Sequence, residues 1–158
     1  MASAGMAQAT SSERAQQVNE RIAVSKMVAA GRAHAGAHWF YWIAGLSLIN
    51  SIIVISGGSL HFIVGLGITS LVDAAAKRLG SVGTVLDVVI NTFVAGVFVL
   101  FGMFAAKTRK WAFVLGMVLY AADGMLLLRV KDFYSAAFHA YALWAIYRGY
   151  SAAQQIQS

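Results

Sequence analysis

The chain contains neither cysteine nor proline. The first absence excludes disulfides, iron–sulfur clusters and thiolate-ligated zinc. The second removes the commonest cause of a sharp helix kink, so long helices can run uninterrupted. Charge is scarce as well. Asp, Glu, Lys and Arg make up 11% of the 158 residues, where soluble domains carry about 25%. Only six side chains are acidic, so an acidic group inside an apolar stretch stands out. No Walker loop, dinucleotide fingerprint, zincin helix or nucleophile elbow occurs, and the expectation is a protein that is not an enzyme. The start, MASAGMAQATSSERAQQ, lacks the apolar core of a secretory signal.

What the chain has is hydrocarbon. Apolar residues make up 59%, and the mean hydropathy is +0.69. The charged residues cluster at the ends of long apolar runs, the pattern of a polytopic membrane protein. The net charge of +6 is spread over loop positions, where anionic headgroups account for it. It is therefore read as a bilayer footprint and not a nucleic-acid one. The periods are helical, without the alternating segments of a membrane barrel.

The expected architecture is an all-α integral membrane bundle. Residues 1–10 are small and polar and read as disordered. Residues 11–37 read as an amphipathic, interfacial helix, with Val18, Ile22, Ser25 and Ala29 on one stripe and Arg14, Arg21 and Arg32 mostly off it. The bundle occupies 38–150, with five spans at about 38–56, 60–76, 84–106, 111–128 and 133–150. Segment 60–76 is at the lower length limit for a span, so four spans plus a re-entrant segment is the alternative. Residues 151–158 form a short polar tail. Small residues spaced four apart, such as Ser47/Ser51 and Ala136/Ala140, favour close helix packing in lipid.

Five spans place Arg14, Arg21, Lys26, Arg32, Lys77, Arg78, Arg129 and Lys131 on the N-terminal side, against Lys107, Arg109, Lys110 and Arg148. The positive-inside rule then puts the N-terminus in the cytoplasm of a bacterial-type inner membrane, although the Lys107–Lys110 cluster argues the other way.

Candidate chemistry centres on titratable groups inside the apolar runs. Asp123 precedes residue 131 by eight positions and His139 follows it by eight, so each lies about 12 Å from the turn between the last two spans. Asp73 and Asp87 flank residue 80 by seven positions each, about 10 Å from their turn. Asn91 shares a helix face with Asp87. Asp123, His139, Asp87, Asp73 and Asn91 are thus expected in one leaflet, lining a cavity that holds a proton or cation. The competing reading is local: Asp73 pairs with Lys77, and Asp87 caps its helix.

The working function is proton- or cation-linked binding or transport of a small solute. The alternative is a non-catalytic accessory or scaffold subunit of a larger membrane complex. The third reading is a haem or metal redox protein. His34 and His38, at i and i+4, could share a metal, and His38, His61 and His139 are the candidate haem ligands. No cofactor is expected. The expected partners are the lipid bilayer, other membrane proteins and further copies of the chain.

Overall fold

The computed structural model describes residues 2–56, 80–129 and 131–157. Among the described residues the chain is all-helical: α1 (Ala2–Ile55), α2 (Gly80–Ala106), α3 (Lys110–Arg129) and α4 (Phe133–Gln157). With no proline to interrupt it, α1 runs for 54 residues, about 81 Å.

The helices close into a ring in which α1 packs on α2 and α4, and α3 packs on α2 and α4. All four neighbouring pairs are antiparallel. On α1 and α2, Tyr41 meets Gly102 while Ser51 meets Asn91. On α2 and α3, Phe104 meets Trp111 while Phe98 meets Tyr120. Gly124 and Tyr120 of α3 face His139 of α4. Gly36 of α1 lies against Gly149 of α4, and Trp39 against Tyr141.

Two of the described helices are long and apolar enough to span a membrane, so the five-span topology is not confirmed. Ser56 and Gly80 lie at the same end of the bundle. The connecting segment, with the expected span 60–76, lies outside the described residues. The start of α1's packed half, the Lys107–Lys110 turn and the end of α4 all share the opposite end. Arg14, Arg21, Lys26, Arg32, Lys107, Arg109, Lys110 and Arg148 therefore fall on one end, with Arg129 and Lys131 on the other. The Lys107–Lys110 cluster no longer opposes the N-terminal charges.

The N-terminal expectations change as well. Residues 2–10 continue α1 and do not form a separate disordered tail. Residues 12–28 are exposed throughout, and Ala29, which follows them, is buried. One unbroken helix carries this stretch into the bundle, so it projects beyond the bundle end and does not lie across it. The tail at 151–157 is helical, with Ala152 and Ala153 buried and Gln157 Nε2 donating to the Thr108 carbonyl at 2.8 Å.

The core is aromatic at its centre. The Phe40 ring sits 6.1–6.4 Å from Phe98, Phe101 and Phe113. It occupies the space a Cβ at Gly116 would need, with Cε1 2.4 Å from that position. At the α1–α4 crossing, a Cβ on Gly36 would lie 2.5 Å from the Gly149 Cα. Glycine at both positions is what permits this backbone contact.

Tight turns join α2 to α3 and α3 to α4. Thr108 and Lys131 each adopt positive φ, 56° and 61°. Each turn carries the paired hydrogen bonds of a Schellman ending: Arg109 to Phe104 and Thr108 to Ala105 in one, Asp132 to Leu127 and Lys131 to Leu128 in the other.

The outer faces stay apolar. Val89, Phe93 and Leu100 of α2, and Val118, Met125 and Leu128 of α3, are exposed. Among the described residues, two segments are long and apolar enough to cross a membrane, Val88–Ala106 and Lys110–Arg129.

Candidate functional site

Two helix faces meet at the α3–α4 contact. Tyr120, Asp123, Gly124 and Leu127 are the buried stripe of α3, and Ser135, His139, Ala142 and Ile146 that of α4. The stripes are spaced i, i+3, i+4, i+7 on α3 and i, i+4, i+7, i+11 on α4, each one helical face. Gly124 lets α4 come close, because a Cβ there would stand 3.3 Å from the Cβ of His139. The result brings His139 Nε2 to 2.9 Å from Asp123 Oδ2, with the two side chains 2% and 5% exposed. Tyr120, 1% exposed, stacks on the imidazole with ring centroids 4.1 Å apart at 15°.

The rest of the site locks the ring. His139 Nδ1 lies 2.8 Å from the Ser135 carbonyl. A carbonyl oxygen only accepts, so Nδ1 carries the hydrogen and donates. Ser135 is itself held by Asp132, the N-cap of α4. The Ser135 N–H donates to Asp132 Oδ1 at 3.1 Å, and Ser135 Oγ donates to Oδ2 at 2.6 Å. The hydroxyl bond from Ser135, followed by its amide, holds the Asp132 carboxyl below the usual carboxylate range.

With Nδ1 committed as donor, the Nε2···Oδ2 contact requires one proton between the two atoms. Either imidazolium donates to carboxylate, or the carboxylic acid donates to neutral imidazole. Both arrangements carry no net charge. Removing that proton would leave a net negative charge in a buried site, with a nitrogen lone pair facing a carboxylate oxygen.

Asp123 also lines a cavity. A groove of about 440 Å³ runs between α2 and α3, with Phe93, Val97, Phe98, Leu119 and Ala122 among its walls and Asp123 as the only ionisable lining residue among the described residues. The carboxylate thus faces His139 on one side and an apolar groove on the other.

Asn91 is engaged at a different helix contact. It is buried, and its Nδ2 donates to Ser51 Oγ of α1 at 2.9 Å, binding α1 to α2. The register puts Asp123 opposite Val94 and Val97, residues that share its groove. Asp87 lies seven residues before Val94 on α2, about two turns nearer the bundle end. Asp73 and His61 lie outside the described residues. His34 and His38 stand side by side on the exposed face of α1, ring centroids 5.9 Å apart. No group of three or more potential metal ligands occurs among the described residues. Both nitrogens of His139 are engaged, so haem ligation there would mean breaking the Asp123 contact.

Ser135 was not singled out from the sequence, and Tyr120 only as one of several tyrosines able to line a cavity. The signals were present: Tyr120 lies three residues before Asp123 on one helical face, and Ser135 lies one turn before His139 in an Asp-x-x-Ser capping pattern.

No family model, curated protein or solved structure matches this chain.

Proposed function

We propose that this is a small membrane protein whose four described helices cross the bilayer. In this reading the Asp123–His139 pair gives it proton-linked binding or transport of a small solute. The membrane part is supported by the apolar outer faces of α2 and α3 and by two segments of spanning length. Collecting most of the basic residues at the end that carries both helical termini supports a cytoplasmic placement of that end, in an inner-membrane setting.

The observation that carries the functional reading is the buried 2.9 Å Asp123–His139 contact at the wall of an apolar groove. The shared proton already neutralises the carboxylate, which favours exchange of a proton over capture of a metal cation. The matching solute is largely apolar and brings either a positive charge or a hydrogen-bond donor. Such a group can replace the shared proton at Asp123, so that solute and proton exclude one another. This exclusion is the elementary requirement for coupled exchange.

The test uses proteoliposomes loaded with a pH-sensitive dye and challenged with a fluorescent lipophilic amine. Wild-type protein should couple amine entry to proton exit, and Asp123→Asn should abolish the coupling. Equal traces from wild type, Asp123→Asn and protein-free vesicles would refute it. The accessory-subunit reading draws on one observation, the exposed stretch 12–28 with Val18, Ile22, Val24 and Met27 uncovered. It predicts a normal Asp123→Asn phenotype together with loss of function on removing that stretch.

A further inference from the structure

We infer that the cleft at the α1–α4 crossing is a binding site for the headgroup of an anionic phospholipid, held by Arg32 and Arg148. The inference rests on the membrane reading but not on the Asp123–His139 site, which lies toward the other end of the bundle.

The cleft has a volume of about 220 Å³ and is lined by Arg32, Trp39, Tyr141, Trp144 and Arg148, with Gly36 at its floor. It exists because Gly36 and Gly149 bring the two backbones into contact, while the long side chains on either side stand up as walls. Two guanidiniums from different helices enter it. Both are always charged, and among the described residues neither makes an ion pair with a carboxylate. Five of the six acidic residues are out of reach. Asp123, Asp132 and Asp87 belong to the other half of the bundle, and Glu20 lies 12 positions before Arg32, about 18 Å along α1. Glu13 is further still, and Asp73 lies outside the described residues. Arg148 is held in place by its own neighbour, its Cζ 4.8 Å from the centre of the Trp144 ring.

This combination selects a phosphate attached to an apolar body. The planar guanidinium fork matches phosphate oxygens, and two forks in one cleft can grip a single phosphodiester. The volume equals about seven waters at roughly 30 Å³ each, which suits a phosphate and glycerol but not acyl chains. Below the arginines the wall turns aromatic, with Trp39 and Tyr141 edge to face at 5.4 Å. Tryptophan and tyrosine are the side chains that favour the headgroup boundary. Both arginines sit at the end of the bundle that carries the termini, so the site serves a lipid of that leaflet alone.

The experiment uses the full-length protein reconstituted in vesicles of phosphatidylcholine mixed with phosphatidylglycerol. One lipid at a time is brominated, and quenching of tryptophan fluorescence reports local lipid composition. Vesicle flotation scores insertion first. We expect an anionic over zwitterionic preference of roughly thirtyfold, from two arginines each attracted to an anionic surface. Arg32→Gln/Arg148→Gln should reduce it to near unity, while Lys107→Gln/Lys110→Gln, at the same bundle end, should leave most of it. Equal quenching by both lipids in inserted wild-type protein would overturn the site and spare the membrane reading. An unchanged preference in the double arginine variant would do the same. Loss of the preference on adding millimolar inorganic phosphate would reassign the cleft to a soluble anion. Failure to float with the vesicles would overturn both readings.

Discussion

Substituting Asp123 separates hydrogen bonding from proton exchange at the buried pair. In Asp123→Asn the amide keeps the shape of the carboxylate. Because His139 Nδ1 is committed to the Ser135 carbonyl at 2.8 Å, neutral His139 presents a lone pair at Nε2, and the Asn amide can donate to it. The interhelical hydrogen bond survives and the exchangeable proton is gone. Such bonds average about 0.6 kcal/mol between helices in a bilayer, so Asp123→Asn should fold within about 1 kcal/mol of wild type. Asp123→Ala leaves Nε2 unpaired in a site where His139 is 2% exposed. The unmet acceptor costs about 1–3 kcal/mol, roughly a five- to 150-fold drop in the folding equilibrium. Unfolding in mixed detergent measures the stability difference. Nitrogen-15 NMR of histidine-labelled protein in lipid nanodiscs reads the tautomer. Asp123→Asn must show a protonated Nδ1 and a bare Nε2 on His139. A protonated Nε2 in that variant would refute the donor assignment and with it the argument for a shared proton.

Three further outcomes follow from the geometry. Gly36→Ala should destabilise by about 1–3 kcal/mol, because its Cβ would lie 2.5 Å from the Gly149 Cα; Gly31→Ala and Gly45→Ala, with nothing within 4 Å, should be neutral or stabilising by up to about 1 kcal/mol, and comparative thermal melts of the three distinguish packing from propensity. Lys131→Gly relieves a left-handed residue at φ 61° and should stabilise by up to about 1 kcal/mol, read from the same melts. Asp132→Ala removes the N-cap of α4 at a cost of about 1 kcal/mol. Because hydrogen bonds from Ser135 lower the folded-state pKa of Asp132 from 3.8, its contribution is full above that value and fades as pH falls through the lower folded-state value. Acid titrations should therefore show wild type losing this increment below about pH 4 and Asp132→Asn, which cannot titrate, lacking it.

How much of this was legible beforehand depends on the range of the interaction concerned. Composition and helical periodicity determined an all-helical chain, because the missing proline, the scarce charge and the apolar run lengths each act on local segments. The turns at 107–110 and 129–132 were legible for the same reason. The equal spacing of Asp123 and His139 about a short turn placed them at one level, since an antiparallel hairpin turns sequence distance directly into depth. Rotation about each helix axis was not legible. It took the Gly124 contact and the Asp132–Ser135 cap to turn the imidazole toward Asp123 and fix its donor.

Relations between segments far apart in sequence were decided by tertiary structure alone. Counting apolar runs suggested five alternating crossings, but the pairing of Ser51 with Asn91 and of Gly36 with Gly149 sets the direction of α1, and with it which ends share a side. That choice moved the Lys107–Lys110 cluster to the side of the N-terminal arginines. It also bound Asn91 to Ser51 of α1. Depth along one helix is a local property of sequence; which face meets which neighbour depends on where glycine lets backbones touch, and that appears only when the helices are packed together.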